Sequence, residues 1–403
     1  MNNWKECKLG EVGEVVTGKT PSKNNPEDWG SEIPFVTPTD YKNYKKYAFD
    51  SERKLSLSGA KRLSKKLLPL NSILVTCIGS DMGKVVINKI PVVTNQQINS
   101  IIPKEDIISY DFLYYQLVNI YDTLRIYGGD GTAVPIVNKS DFESIKIFLP
   151  PLPEQKAIAS VLSSLDDKID LLHRQNKTLE SMAETLFRKW FVEKKYDSSI
   201  SQFVYIQNGF AFESKDFIAS GTEQIIKIKN IYDGIVDIDN TDYVDIKITE
   251  NLDKCFKLFS GDILIAMTGA EIGKLGFIPA TINSLWLNQR VGLIKEKYLG
   301  SKYLAYLQLK SDLGQDYIKN TATGSAQPNI SSLAIENCEF PKLTEEEIRN
   351  YSLQLIPLFE KIVFNLGQIR TLEKLRDTLL PKLMSGTVRL SNFEEVRVSD
   401  FEE

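Results

Sequence analysis

The sequence of 403 residues predicts an α+β protein with pseudo-twofold internal duplication: two globular mixed α/β domains separated by two long helices that form an antiparallel coiled coil. Three observations lead there. The proline-rich start Leu149-Pro-Pro-Leu-Pro153 opens a stretch to Val192 free of Pro and Gly. Apolar residues in that stretch step by alternating four and three, the signature of a helical seam. The same stretch recurs 193 residues later.

The prolines cannot sit inside a helix, because they lack an N–H and their rings clash with the preceding turn. The helix is therefore expected over 154–192, roughly 50 Å long at 1.5 Å per residue. Its seam reads Ile158, Leu162, Leu165, Ile169, Leu172, Asn176, Leu179, Ala183, Leu186, Trp190. So narrow a seam asks for a partner helix, although alone it also suits an ordinary amphipathic helix lying on a core. The second copy, expected over 345–385, decides for pairing. Leu358, Ile362, Asn365, Ile369, Leu372 and Leu379 stand where the first has Leu165, Ile169, Leu172, Asn176, Leu179 and Leu186. Off the seam, Lys168/Lys361, Gln175/Gln368 and Thr185/Thr378 repeat as well. Each seam carries one Asn, Asn176 and Asn365, expected at different levels and helping to fix register. The second copy is less regular. Pro357 predicts a kink or break, Gly367 interrupts the pattern, and Thr344-Glu-Glu-Glu347 opens it less sharply than Pro153-Glu-Gln155.

The repeat extends into the globular parts. Gly131-Thr-Ala-Val-Pro135-Ile-Val137 matches Gly324-Ser-Ala-Gln-Pro328-Asn-Ile330 at the same offset. Leu74-Val-Thr-Cys-Ile-Gly79-Ser-Asp-Met-Gly83-Lys84 matches Leu264-Ile-Ala-Met-Thr-Gly269-Ala-Glu-Ile-Gly273-Lys274 at an offset of 190. Asn95-Gln96 matches Asn288-Gln289 at 193. A period this long is a duplicated domain pair, not a solenoid. The segments are a first domain over 1–150, a helix over 151–195, a second domain over 196–341, a helix over 342–386 and a tail over 387–403. Within each domain a turn and buried strand (Pro69–Gly79, Phe259–Gly269) are followed by a returning strand, with glycines at the turn. Residues 111–124 and 301–313 read as amphipathic helices.

Hydrophobic residues at 42% and charged residues at 25% place the chain among soluble globular proteins, and no apolar run is long enough to span a membrane. The opening MNNWKECKLGEVGEVV contains no signal-peptide core, so a cytoplasmic location is expected. Cys7, Cys77, Cys255 and Cys338 are scattered and read as free thiols. His173 is the sole histidine, which excludes histidine triads and multi-histidine zinc sites. It reads as a solvated helix residue. The net charge of −4 argues against a generic nucleic-acid coat protein, but a local basic patch suffices for phosphate contacts.

No catalytic constellation emerges. Gly79-xxx-Gly83-Lys84 and Gly269-xxx-Gly273-Lys274 fall one residue short of a phosphate loop, and Val85 and Leu275 stand where Ser or Thr would bind magnesium. A glycine hairpin approaching another surface fits better. Asp166-Asp167 reads as solvated charge. Neither an Asn-Pro-Pro-Tyr-type methylation motif nor GxGxxG is present.

Candidate nucleic-acid contacts do emerge. Lys42, Lys45, Lys46, Arg53, Lys54, Lys61, Arg62, Lys65 and Lys66 form a basic stretch interleaved with Tyr41, Tyr44 and Tyr47. Lysines neutralise phosphate and tyrosines add hydrogen bonds. A solvated surface segment is the plain alternative. The second domain offers Lys227, Lys229, Asn230, Gln289 and Arg290; Arg can read guanine, and Asn or Gln adenine, through two hydrogen bonds. The glycine turns add Gly79, Gly83, Lys84, Gly269, Gly273 and Lys274, and the matched loops add Thr132, Ser325 and Gln327. Gln327 also suits a role in stabilising its turn.

The layout resembles the DNA specificity (S) subunit of type I restriction-modification systems. Leu149-Pro-Pro-Leu-Pro-Glu-Gln-Lys-Ala-Ile158, with the helix to Phe187-Arg-Lys-Trp190-Phe191, is similar to that family's central conserved region. Leu380-Pro-Lys-Leu-Met-Ser-Gly386 resembles the distal one. Leu9-Gly-Glu-Val-Gly-Glu-Val-Val-Thr-Gly18-Lys-Thr-Pro21, followed by Ile33-Pro34-Phe35-Val36, resembles the opening of a first target recognition domain and adds Lys19 and Thr20 as candidates. The second domain has only Asn208-Gly209-Phe210-Ala211-Phe212 in that place. The resemblance implies two target recognition domains, held apart in inverted orientation by the helix pair. Each reads one half of a bipartite double-stranded DNA target. The helices set the spacer and recruit two methyltransferase (M) subunits, and restriction (R) subunits complete the nuclease. Adenine-N6 methylation and cleavage belong to the assembled complex. This chain is expected to be non-catalytic, with no cofactor or metal of its own; S-adenosylmethionine is expected on the M subunits, and no membrane is involved. A structural coiled-coil adaptor holding two protein-binding domains is the rival reading.

Overall fold

The computed structural model describes residues 4–79, 82–120, 136–324 and 327–390. Two helices of 40 residues, Leu152–Phe191 and Glu345–Met384, run through a chain that divides into two compact units. One unit comprises Met1–Lys168 with Glu373–Glu403, the other Ile169–Leu372. The units therefore do not follow the segments read from the sequence. Each takes in part of both helices, because helical side chains complete its core.

In the first unit, a five-stranded sheet has the order Gly13–Thr17, Ile98–Pro103, Ile73–Thr76, Val85–Asn88, Tyr47–Ala48. Strands Ile73–Thr76 and Val85–Asn88 are buried at every position, which explains their continuous apolar runs. A four-stranded sheet built on Ile33–Val36 and Val93–Thr94 lies beside it in the same unit. The helix Tyr110–Asn119 covers the main sheet with Phe112, Leu113, Tyr115 and Leu117. Ile158, Leu162, Leu383 and Met384 close the same core.

The second unit repeats this plan. Its main sheet contains Val204–Asn208, Val291–Glu296, Ile263–Ala266 and Leu275–Phe277 in that order. The helix Ser301–Lys310 covers it, and Ala183, Phe187, Phe191, Leu355, Phe359 and Ile362 complete the core. Glu180 and Glu184 of the first long helix hold this unit by accepting Lys310 at 2.6 and 2.9 Å.

The helices are antiparallel within each unit. In the first, Asp166 pairs with Arg376 at 3.0 Å. In the second, Asn176 meets Asn365, and Trp190 packs on Tyr351 with ring centroids 4.6 Å apart. Ile169, Leu172 and Ile369 form a small apolar cluster joined by Leu372.

Several sequence expectations need correction. Asn176 and Asn365 do not stand at different levels; antiparallel register brings them together. The second helix does not break at Pro357. Pro357 is exposed, and so is Leu353, whose carbonyl loses its helical donor and is left to water. The second helix also starts sharply. Thr344 and Glu347 form a capping box, with Thr344 N–H donating to Glu347 Oε2 at 2.9 Å and Glu347 N–H to Thr344 Oγ1 at 3.2 Å. Asp166 is not a solvated charge: besides Arg376 it accepts the Tyr115 hydroxyl at 2.6 Å. Finally, Phe187 and Phe191 are more buried than Leu186, because a 3.6-residue turn drifts off a 3.5-residue seam.

Candidate nucleic-acid interface

Each unit carries the same set of loops at one end of its main sheet. In the first, the hairpin closes with Gly83 N–H donating to Thr76 C=O at 2.7 Å and Met82 N–H to Gly79 C=O at 3.1 Å. In the second, Gly273 N–H donates to Ala266 C=O at 2.9 Å and Ile272 N–H to Gly269 C=O at 3.1 Å. All four glycines have φ between 81° and 93°, which side chains rarely adopt. The loop before the neighbouring strand joins in: Cys77 N–H donates to Gln97 C=O at 2.8 Å, and Met267 N–H to Arg290 C=O at 3.1 Å. The segment approaching each long helix joins too, through Val137 N–H to Cys77 C=O at 2.9 Å and Ile330 N–H to Met267 C=O at 3.0 Å.

A fourth loop completes the set and corrects the sequence reading of the second domain. Gly18 has a counterpart, Gly209. A Cβ on either would lie 2.1 Å from a backbone oxygen, that of Asn95 or of Asn288. The next residues bond alike, Lys19 N–H to Thr94 C=O at 2.8 Å and Phe210 N–H to Leu287 C=O at 2.9 Å. Phe210, standing where the first unit has Lys19, packs on Phe212 and Phe256.

The structure thus brings together Lys19, Thr20, Gly79, Gly83 and Lys84 in one unit, and Gly269, Gly273, Lys274, Gln289, Arg290 and Gln327 in the other. Lys19, Thr20, Lys84, Lys274, Gln289, Arg290 and Gln327 are exposed. Lys274 pairs with Glu271. Thr132 and Ser325 lie outside the described residues. Gln96 joins the first face unforeseen: it is exposed, and Thr20 Oγ1 donates to its Oε1 at 2.8 Å. Its signal was in the sequence, since Asn95-Gln96 recurs as Asn288-Gln289.

Other candidates lie elsewhere or are engaged. Lys46 is not a phosphate contact. It is 6% exposed, pairs with Asp111 at 2.8 Å and donates to Ser163 Oγ at 2.7 Å, tying the sheet to the long helix. Its neighbour Tyr47 pairs with Ile87, at the end of the strand remote from the hairpin turn. Asn230 does not read bases either. It is buried, accepting Lys227 N–H at 3.0 Å and donating to Asn240 C=O at 2.9 Å. Lys227 and Lys229 lie at the right edge, where Asn288 N–H meets Ile226 C=O, but both ammonium groups sit on Asp242 at 2.8 and 3.0 Å. Burial pushes the Asp242 carboxyl up, and the two lysines outweigh it, holding it below the ordinary range. In the basic stretch, Arg53 stacks on Trp29, Lys54 pairs with Asp50, and Arg62 with Asp28 and Glu27. Tyr41 is buried and packs on Tyr44, whose hydroxyl donates to Asp50 C=O, and Tyr47 lies between the Lys46 and Lys89 ammonium groups, so these rings are engaged within their own unit. Lys42 and Lys45 are exposed. Lys42 lies on Pro38–Asn43, which follows Val36, whose C=O accepts Asn95 N–H at 3.1 Å.

Among the described residues no group of His, Cys, Asp and Glu could hold a metal ion. No described helix is long and apolar enough to cross a membrane. The cysteines are free. What the two faces offer is hydrogen-bonding and cationic side chains on loops anchored by strand ends. Such groups contact phosphates and base edges.

The chain belongs to the family of the type I restriction modification DNA specificity domain, whose model matches residues 1–181 and 193–361. It is 28% identical to the MjaIX specificity subunit of a type I restriction enzyme from Methanocaldococcus jannaschii, over 96% of this chain and 94% of that protein. The EcoR124I/EcoR124II specificity subunit of Escherichia coli is 32% identical over 40% of each chain. Among solved structures, the S subunit of a type I restriction-modification system from M. genitalium superposes with a TM-score of 0.63 at 16% identity, covering 95% of this chain and 96% of that one. That likeness bears out two mixed α/β domains with two long helices. Family membership assigns the chain to DNA specificity and disfavours the adaptor reading.

Proposed function

We propose that this chain is the sequence-specific DNA-binding subunit of a type I restriction-modification complex, each unit reading one half of a bipartite double-stranded target. The observation that carries this reading is the doubled loop face, held by five matching backbone hydrogen bonds in each unit and different in its side chains. Lys19, Thr20, Lys84 and Gln96 face outward on one, Lys274, Gln289, Arg290 and Gln327 on the other. Similar frames with different side chains suit two different half-sequences. Lysines supply sequence-independent phosphate contacts, and Gln and Arg supply two-bond contacts with base edges. In the same reading, the helix pair sets the unread gap and recruits two M subunits, which carry S-adenosylmethionine and methylate adenine at N6. R subunits supply cleavage. This chain contributes recognition only.

The test is to co-purify the chain with the products of neighbouring genes, map methylated adenines, and measure duplex binding against salt. A split methylated sequence, with affinity that falls steeply as salt rises, supports the reading. Absence of both methylation and salt-dependent binding overturns it.

A further inference from the structure

The two long helices meet at one polar level. Asn365 is fully buried, and its Nδ2 donates to Asn176 Oδ1 at 2.7 Å and to Gln175 Oε1 at 2.9 Å. One turn away the facing positions are apolar, Leu172 with Ile369. The duplication relates Leu172 to Asn365, and Asn176 to Ile369. The two copies of the helix therefore carry their asparagine at opposite members of two related levels.

Duplication by itself creates a hazard. A helix whose seam fits its repeat also fits a second copy of itself, so two chains could pair like with like. We propose that Asn176 and Asn365 form a pairing code by which the first helix accepts the second and rejects a second copy of itself. Place another first helix in the second helix's seat. Its Leu172 then occupies the place of Asn365, and its Asn176 the place of Ile369. Both asparagines now face leucine, and the amide bond across the seam is lost. Two second helices fare no better, since each Asn365 faces Ile369. Asn365 is buried and Asn176 half-buried, and an amide left there without its partner weakens pairing by about tenfold per mismatched level. A like-with-like pair has two such levels; the native pair has none, and only the Asn365 Oδ1 stays buried without a partner in it. A polar residue inside an apolar seam lowers stability and selects the partner.

The test uses the full chain with a protease site inserted after Lys195, purified folded and then cut. The comparison is the double variant Asn176→Ile with Asn365→Leu, which gives both levels the same Leu–Ile composition. Each cut protein is taken through a mild denaturant cycle and its pairs weighed by native mass spectrometry. Like-with-like pairs are expected at least about tenfold rarer in the parent than in the double variant. An equal share in both overturns the code. The uncut chain gives a second reading: either single substitution lowers Tm, and the double recovers the loss. Additive losses show that the two asparagines are not coupled, and overturn the code independently.

Discussion

Alanine at Gly209 puts a methyl group into the backbone that carries Gln289 and Arg290. Its Cβ would lie 2.1 Å from the Asn288 carbonyl oxygen, 2.3 Å from the carbonyl carbon and 2.7 Å from the Leu287 oxygen. Carbon and carbonyl oxygen settle at about 3.3–3.6 Å, so the loop must retreat by about 1 Å. The obstacle is backbone within a ladder, which cannot rotate aside like a side chain. Overpacking of this kind costs about 1–3 kcal/mol. Gly18→Ala meets the same wall in the other unit, 2.1 Å from the Asn95 oxygen and 2.3 Å from Thr94 Oγ1. Gly269→Ala is the control. Its φ of 81° costs about 1–2 kcal/mol in backbone strain, but open space surrounds its Cβ, so the 287–290 loop stays put. Urea unfolding reads the stability, and binding to duplexes with one half-site scrambled at a time reads recognition. Gly209→Ala should impair only the half-site read by its own unit, and Gly18→Ala only the other. A Gly209→Ala protein with full stability and full reading of both half-sites would refute the reasoning, as would both variants weakening the same half-site.

Three further outcomes are expected. Lys19→Ala or Lys42→Ala should weaken binding to every sequence alike and shallow the salt slope by about one unit per lost contact, whereas Lys46→Ala should leave the slope unchanged and lower Tm. Leu172→Asp should cost several kcal/mol in denaturant unfolding, because it buries a charge in an apolar seam; a loss below 1 kcal/mol would show that the helices do not pair there. One heptad inserted into both helices should lengthen each by roughly 10 Å and widen the unread gap of the methylated sequence by a few base pairs, or abolish binding. An unchanged gap with full activity would show that the helices are not the ruler.

The helix pair was legible in the sequence because periodicity and duplication are local patterns that packing obeys. The glycine hairpins were legible for the same reason: Gly79, Gly83, Gly269 and Gly273 recur where the backbone turns left-handed. What escaped depended on distant partners. Lys46 looks like its basic neighbours until Asp111 and Ser163 arrive from other elements to enclose it. Gly209 was hidden because Phe210 replaces a lysine, so the match lies in backbone bonds rather than side chains. The meeting of Asn176 with Asn365 follows from antiparallel register, which an offset between repeats does not express. Pro357 breaks nothing because its face of the helix is wet, and exposure of one face is a tertiary property.

The central claim is that the two halves read DNA independently. Exchange of residues 1–150 for the first domain of another family member, followed by mapping of methylated adenines in the reconstituted complex, tests it most directly. The expected result is a new sequence in one half of the target, with the other half and the gap unchanged. A change in both halves, or in neither, would contradict it.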